Sequence, residues 1–169
     1  MKTTVCFDRM PSPLGTILLV AVDDALAGIH FDGQRYLPAI GADWWDGAKH
    51  PALRAANEQL AEYFAGGRTA FDLPLAAVGT PFQRAVWEAI RTARYGETIT
   101  YGELAARVGA PRSIRAAGAA TGRNPWAIVV PCHRIIGADG SLTGYAGGLE
   151  RKRALLDREA SRAPLARAA

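Results

Sequence analysis

Apolar residues alternate or run unbroken through the first thirty positions, then switch to a helical period. Residues 5–7, 16–22 and 25–31 read as strands, rich in β-branched and aromatic side chains. Pro11-Ser12-Pro13 and Gly15 supply the first turn, and Asp23-Asp24 a hairpin turn. Residues 33–50 follow no period, and no element is assigned to them. From Pro51, the positions Leu53, Ala56, Leu60 and Phe64 recur at helical spacing until Gly66-Gly67 ends the helix. Residues 73–81 form an extended connector. Thr80 then caps a second helix with Pro81 in its first turn, Phe82, Val86, Ile90 and Trp87 as its apolar stripe, and Gly96 at its close.

A short helix ending at Gly109, a turn containing Pro111 and a second helix over 113–121 make a helix-turn-helix pattern. The second helix carries Ala116-Ala117-Gly118-Ala119-Ala120, with Arg115 as its only long cation. Such small side chains suit close approach to a surface as narrow as the DNA minor groove, about 6 Å wide. They suit packing against another helix equally well, which would leave Arg115 as ordinary surface charge. Ile128-Val129-Val130 reads as a buried strand ending at Pro131, because an unbroken apolar run needs cover on both faces. Gly144-Tyr145-Ala146-Gly147-Gly148 is a glycine-rich loop without the lysine and Ser/Thr of a phosphate loop. It reads instead as a binding wall, with Tyr145 placed to cover a planar ligand. Residues 149–159 form a last, basic helix with Glu159 near its end. The fold class is α/β (α+β): an N-terminal sheet-plus-helix domain (1–73), a connector (74–80), a mostly helical domain (81–160) and a weakly ordered tail (161–169).

Hydrophobic content of 49% with 21% charged residues is ordinary for a soluble globular chain. No apolar run reaches membrane-spanning length and the N-terminus has no signal-peptide pattern. The two cysteines make no disulfide framework, which fits a reducing, cytoplasmic setting. Cys6, His30 and His50 match no zinc spacing, so structural or surface roles are expected of them. The net charge of +4 hides an asymmetry: residues 1–79 carry 6 Lys+Arg against 9 Asp+Glu, or −3, and residues 80–169 carry 14 against 7, or +7. An arginine-rich second half is either a solvated basic face or the footprint of an anionic partner, most often nucleic acid.

The chemistry converges on Pro131-Cys132-His133-Arg134. A free thiol has a pKa of roughly 8.5 and becomes a nucleophile when imidazole or positive charge lowers it. His133 and Arg134 are both candidates to do so. The alternative is a buried structural cysteine. The residue order and the loop beyond it favour a reactive Cys132. Asn124, before Pro125, starts an extended connection, and its amide is a candidate brace between the helix pair and the cysteine segment.

From Phe82 to Glu159 the chain closely resembles the O6-alkylguanine-DNA alkyltransferase family, the methylated-DNA–protein-cysteine methyltransferases. The resemblance rests on Tyr101-Gly102, Arg115-Ala116, Gly122-Arg123-Asn124-Pro125, the run from Ile128 through Pro-Cys-His-Arg, and Gly144-Tyr145-Ala146-Gly147-Gly148-Leu149. It implies an RNase H-like first half, a winged helix-turn-helix-like second half and stoichiometric, single-turnover repair of DNA. Cys132 would take the alkyl group from guanine O6, or from thymine O4, and keep it as a thioether. His133 would act through a water as base, oriented by Glu159, and Tyr101 would donate to the departing guanine. The Cys132 and Ile135 carbonyls would accept the guanine amino group, Tyr145 would line the site, and the Ala146 N–H would face O6. Some relatives carry serine at the Ala146 position, a side-chain contact this sequence lacks. A target base must leave the duplex to meet such a thiol. Arg115 would fill the gap while Ala116, Gly118, Ala119 and Arg123 lie against the minor groove, and Asn124 would couple helices to active site. The implied partner is double-stranded DNA carrying alkylated guanine, bound by a monomer whose copies can cluster along it. Some relatives hold zinc in the first half; the ligand set is missing here, so neither metal nor cofactor is expected. A lesion sensor without chemistry, a Cys-His hydrolase and a transcription factor are the rival readings.

Overall fold

In the computed structural model, which describes residues 4–162, the chain starts as an antiparallel meander. Strands β1 (Val5–Met10), β2 (Ile17–Val22) and β3 (Ala25–Phe31) pair in sequence, and a short β4 (Trp45–Asp46) adds parallel to β1, giving the order β3-β2-β1-β4. β1 runs past Phe7 to Met10, because its register pairs Met10 with Ile17 across the sheet. β4 emerges from the stretch left unassigned by periodicity. Two exposed residues held by Cys6 and Phe7 offer no period to read. Helix α1 (Pro51–Ala65) lies on the sheet with Leu53, Ala56, Leu60 and Tyr63 fully buried, and ends on Gly66 at φ 82°, where a left-handed cap suits glycine. β2 is apolar on both faces because both are covered; Ile17, Leu19 and Ala21 have no solvent exposure, and the intervening Leu18 and Val20 are buried as well. His30 is buried, and burial lowers its pKa to about 4.

The outer edge of β3 organises the rest. An edge strand presents unpaired N–H and C=O groups. Here the connector takes the first pair, with Leu26 N–H donating to Pro74 O and Ala76 N–H to Leu26 O. The segment after Asn124 takes the second, with Ile29 N–H donating to Pro125 O and Ala127 N–H to Ile29 O. Trp126 Nε1–H reaches back to Leu26 O at 2.8 Å. The N-terminal sheet is thus the template on which the cysteine-bearing segment begins.

Helix α2 (Pro81–Arg91) opens with a full capping box between Thr80 and Gln83. It stops at Arg91 rather than Gly96, and Gly96, at φ 78°, turns the chain after it. Val86, Trp87 and Ile90 are core, but Phe82 is 36% exposed and stands on the rim of a cleft. Strand β5 (Ile99–Thr100) leads into α3 (Tyr101–Arg107), the turn contains Pro111, and α4 (Ile114–Gly122) completes the helix-turn-helix. The small residues of α4 divide by face. Ala117 and Ala120 are buried, and Ala120 O accepts the Trp87 indole N–H, while Ala116 and Ala119 remain exposed. One side of the small-residue helix is therefore used for packing, and the other is left as an exposed surface of small side chains.

The expected strand over 128–130 does not form. These residues are a succession of turns, with Ile128 at φ 71°, and the strand β6 (Ile135–Ile136) lies beyond the cysteine, parallel to β5. Ile128 and Val130 are buried as their apolarity requires, but burial alone does not select extended backbone. Cys132–Arg134 is one turn of 3-10 helix. Helix α5 (Leu149–Arg162) outruns its expected end and absorbs Ser161 and Arg162; residues 163–169 of the expected tail lie outside the described residues. Among the described residues no helix is long and apolar enough to cross a membrane, and no cluster of three His/Cys/Asp/Glu could hold a metal ion.

Candidate active site

A β-branched residue at positive φ, as at Ile128, is strained and needs its surroundings to hold it. Asn124 is that hold. Its Oδ1 accepts the Trp126 N–H at 3.0 Å, and its Nδ2 donates to Val130 O at 2.8 Å and Trp126 O at 3.3 Å. One side chain therefore stands in for the strand partner that the 126–130 turns lack. The same Nδ2 lies 3.1 Å from Cys132 Sγ, so the clamp on the backbone also orients the sulfur.

Cys132 is 6% exposed. Burial pushes its thiol up; the Asn124 donor, the Lys152 ammonium and the Cys132 and His133 backbone N–H groups pull the other way without overcoming it. The resting group is a thiol. Neither candidate from the sequence supplies the lowering charge, because Arg134 turns away to Glu159 and burial keeps His133 neutral. The nearby cation is Lys152.

His133, Arg134 and Glu159 form one buried network. His133 Nε2 lies 2.7 Å from Glu159 Oε1, and Arg134 forks onto both carboxylate oxygens at 2.8 and 3.0 Å while its third donor meets Ala93 O. Tyr63 O–H, from α1, donates to the same Oε1 at 2.8 Å, and Gly96 N–H approaches Oε2 at 3.4 Å. Burial pushes the Glu159 carboxyl up, but the donors and charges of His133 and Arg134 outweigh it and hold it well below the usual carboxylate range. Burial lowers the His133 pKa, opposed by Glu159. A neutral imidazole donating through Nε2 leaves Nδ1 free to accept, and Nδ1 is buried without a partner.

The loop 143–146 closes the other side. Tyr101 O–H donates to Thr143 O at 2.9 Å and approaches Gly144 O at 3.3 Å. Lys152, fully buried on α5, donates from Nζ to Ile135 O and to Thr143 O, and burial lowers its pKa to about 8. It ties the loop to β6, and one lone pair of the Ile135 carbonyl is already in use. Tyr145 is not an exposed cover. It is 8% exposed with a buried, unpartnered hydroxyl, and burial raises that hydroxyl's pKa. Ala146 O accepts the Arg35 N–H at 3.0 Å, linking the loop after β3 to this wall.

Outside, a cleft of about 620 Å³ runs between α4 and that loop, bordered by Ala116, Gly118, Ala119, Phe82, Tyr145 and Ala146. Arg115 is exposed at the start of α4, and Arg123 stacks on Tyr36 with its guanidinium 3.8 Å from the ring centre.

Two family models cover the chain: the 6-O-methylguanine DNA methyltransferase ribonuclease-like domain matches residues 5–77 and the DNA binding domain of the same family matches residues 81–161. A methylated-DNA–protein-cysteine methyltransferase of Mycolicibacterium paratuberculosis is 48% identical over 158 residues, covering 94% of each chain. The chain belongs to the 6-O-methylguanine DNA methyltransferase family. A relative of the same name from Methanosarcina barkeri is 47% identical, over 90% of this chain and 96% of its own. The Mycobacterium tuberculosis O6-methylguanine methyltransferase superposes with a TM-score of 0.85 at 46% identity, over 96% of this chain and 97% of that one. Its structure in complex with DNA gives 0.84 at 46%, over 95% and 96%.

In this member of the family, Asn124, Cys132, His133 and Glu159 come together in one buried cluster, with Tyr101, Ile135, Tyr145 and Ala146 around the 143–146 loop. Arg115, Ala116, Gly118, Ala119 and Arg123 lie apart from it, on and just beyond α4. Sequence reasoning missed Tyr63, Lys152 and the true partner of Arg134. A tyrosine at a core position of α1 gave no signal beyond its hydroxyl, which a buried phenol must satisfy.

Proposed function

We propose that this chain repairs alkylated DNA by direct reversal, with Cys132 as the acceptor. The observation that carries this reading is the state of His133: Nε2 committed to Glu159, Nδ1 unpartnered, and the ring one residue from a thiol aimed by Asn124. Such an imidazole is a base in waiting. In the reaction, Cys132 loses its proton to His133 through a water and attacks the alkyl carbon on guanine O6. The S–C bond forms as the C–O bond breaks, and the leaving guanine takes up a proton, with Tyr101 turning from Thr143 O to donate to it. Thymine alkylated at O4 presents the same carbon–oxygen bond. A thioether has no ready exit, so each molecule reacts once.

Double-stranded DNA is the partner, with the exposed side of α4 against the minor groove, where Ala116 and Ala119 allow close approach. The target nucleotide is flipped out, and Arg115 occupies the space it leaves. The chain acts as a monomer, with several copies able to line up along DNA.

The test is an intact mass after incubation with a duplex carrying one O6-methylguanine. One methyl added at Cys132 is the expected result. Binding without mass gain would leave a lesion-binding protein, and a methyl on Cys6 would move the chemistry to the other thiol. Arg115→Ala is expected to slow transfer from that duplex by at least about tenfold, since unstacking a base costs a few kcal/mol. Its effect on transfer from free O6-benzylguanine, which needs no flipping, is expected to be much smaller. Equal effects on both substrates would remove Arg115 from base extrusion.

A further inference from the structure

We infer that Tyr63, on α1 of the N-terminal half, is a positioning residue for the alkyl transfer, acting through the Glu159 carboxylate on His133. This rests on the function proposed above. The sheet-plus-helix half offers no catalytic residue to sequence reasoning, and α1 reads as core packing. Yet the Tyr63 hydroxyl, fully buried and 96 residues away in sequence, donates to Oε1, the oxygen that also holds His133 Nε2.

Charged and titratable groups surround the Glu159–His133 pair from several elements, with Lys152 of α5 acting on the imidazole and Tyr145 on the carboxylate. His133 and Arg134 approach from the 3-10 turn, the Gly96 N–H and Tyr95 from the loop after α2, and Tyr63 from α1. Arg158 of α5 is engaged with Phe64 O. Oε1 thus has three donors: Tyr63 O–H at 2.8 Å, His133 Nε2 at 2.7 Å and Arg134 Nη2 at 3.0 Å. A carboxylate oxygen shared in this way is fixed in direction, and its charge is divided among the donors. Tyr63 therefore does two things. It holds Oε1 on the His133 axis, and it draws off part of the negative charge that would otherwise stabilise the imidazolium. A ring left more basic would be protonated, and so lost as a base, at higher pH.

The experiment compares full-length wild type, Tyr63→Phe and a protein with 3,5-difluorotyrosine at position 63, using a duplex with one O6-methylguanine. Single-turnover methyl transfer is followed against pH, with duplex affinity and Tm measured alongside. Tyr63→Phe is expected to transfer about tenfold more slowly, the scale of a lost hydrogen bond to a charged group, with duplex affinity unchanged. The acid limb of its rate profile should move to higher pH. Difluorotyrosine is a stronger donor of nearly the same shape, so its limb should move to lower pH. These opposite shifts are what a packing role cannot produce. An acid limb that stays in place in both proteins overturns the inference, whatever happens to rate or Tm. If Tyr63→Phe does not fold, the fluorinated protein decides alone. A wild type that takes no methyl overturns the parent function and this inference with it; a reactive wild type with unmoved limbs overturns only this one.

Discussion

Cys132→Ser is expected to bind a methylated duplex and never to gain a methyl group, however long the incubation. A hydroxyl is a far weaker nucleophile than a thiol, and nothing around position 132 would ionise it. The thiol itself rests above its ordinary pKa, so the protein depends on a proton leaving sulfur as attack occurs. A serine in the same place keeps the Asn124 donor satisfied, since its oxygen can accept from Nδ2. Stability should accordingly change by no more than about 2 kcal/mol, and loss of transfer cannot be put down to unfolding. Peptide mapping beside the intact mass completes the measurement. Any methyl on the serine variant, on Cys6 or elsewhere, would mean the acceptor has been misassigned. Cys6 is 1% exposed between β2 and the loop before α1, and burial pushes its thiol up with no lysine or imidazole to assist it.

Glu159→Gln is expected to cost both chemistry and stability. The substitution removes the carboxylate held against the buried Arg134 guanidinium and turns one oxygen into a donor facing other donors. Breaking a buried pair by removing one partner costs about 3–5 kcal/mol, because the surviving charge is left uncompensated. The transfer rate should fall with it, since a neutral amide oxygen in place of the carboxylate does far less to stabilise the imidazolium that forms as His133 takes a proton. The pH dependence carries a distinct sign. A carboxyl held below its ordinary 4.5 supplies stability that is fully present above that pH and drains away as pH falls through it. His133, held below its ordinary 6.5, gives a slope of the same sign that starts higher, because the unfolded chain takes up a proton the buried ring refuses. Wild type should therefore weaken steadily from about pH 6.5 downward, and the glutamine variant should lose the lower part of that slope. Urea unfolding at several pH values measures both. An unfolding free energy unchanged at neutral pH would show that Arg134 does not depend on this carboxylate.

What the sequence by itself determined was local. Thr80 before Pro81 and Gln83 set the start of α2, Gly66 ended α1, and the spacing of Leu53, Ala56 and Leu60 set the buried face of α1. The Pro-Cys-His-Arg order placed the proposed nucleophile and base together because they are chain neighbours. Periodicity failed at Ile128-Val129-Val130, where apolarity reported burial truthfully but not conformation. There the backbone groups that a strand would pair are met within the turns and by the Asn124 amide, while the edge of β3 holds Pro125 and Ala127 just before them, and none of this is visible in the run itself. The tertiary structure alone decided which charges reach the site. Arg134, next but one to the cysteine, serves Glu159, while Lys152 and Tyr63 arrive from α5 and α1. The physical reason is that a buried polar group must find a partner wherever the packed chain offers one. Spacing along a sequence fixes which residues share a face, and only the packing of one element on another fixes which of those faces meet.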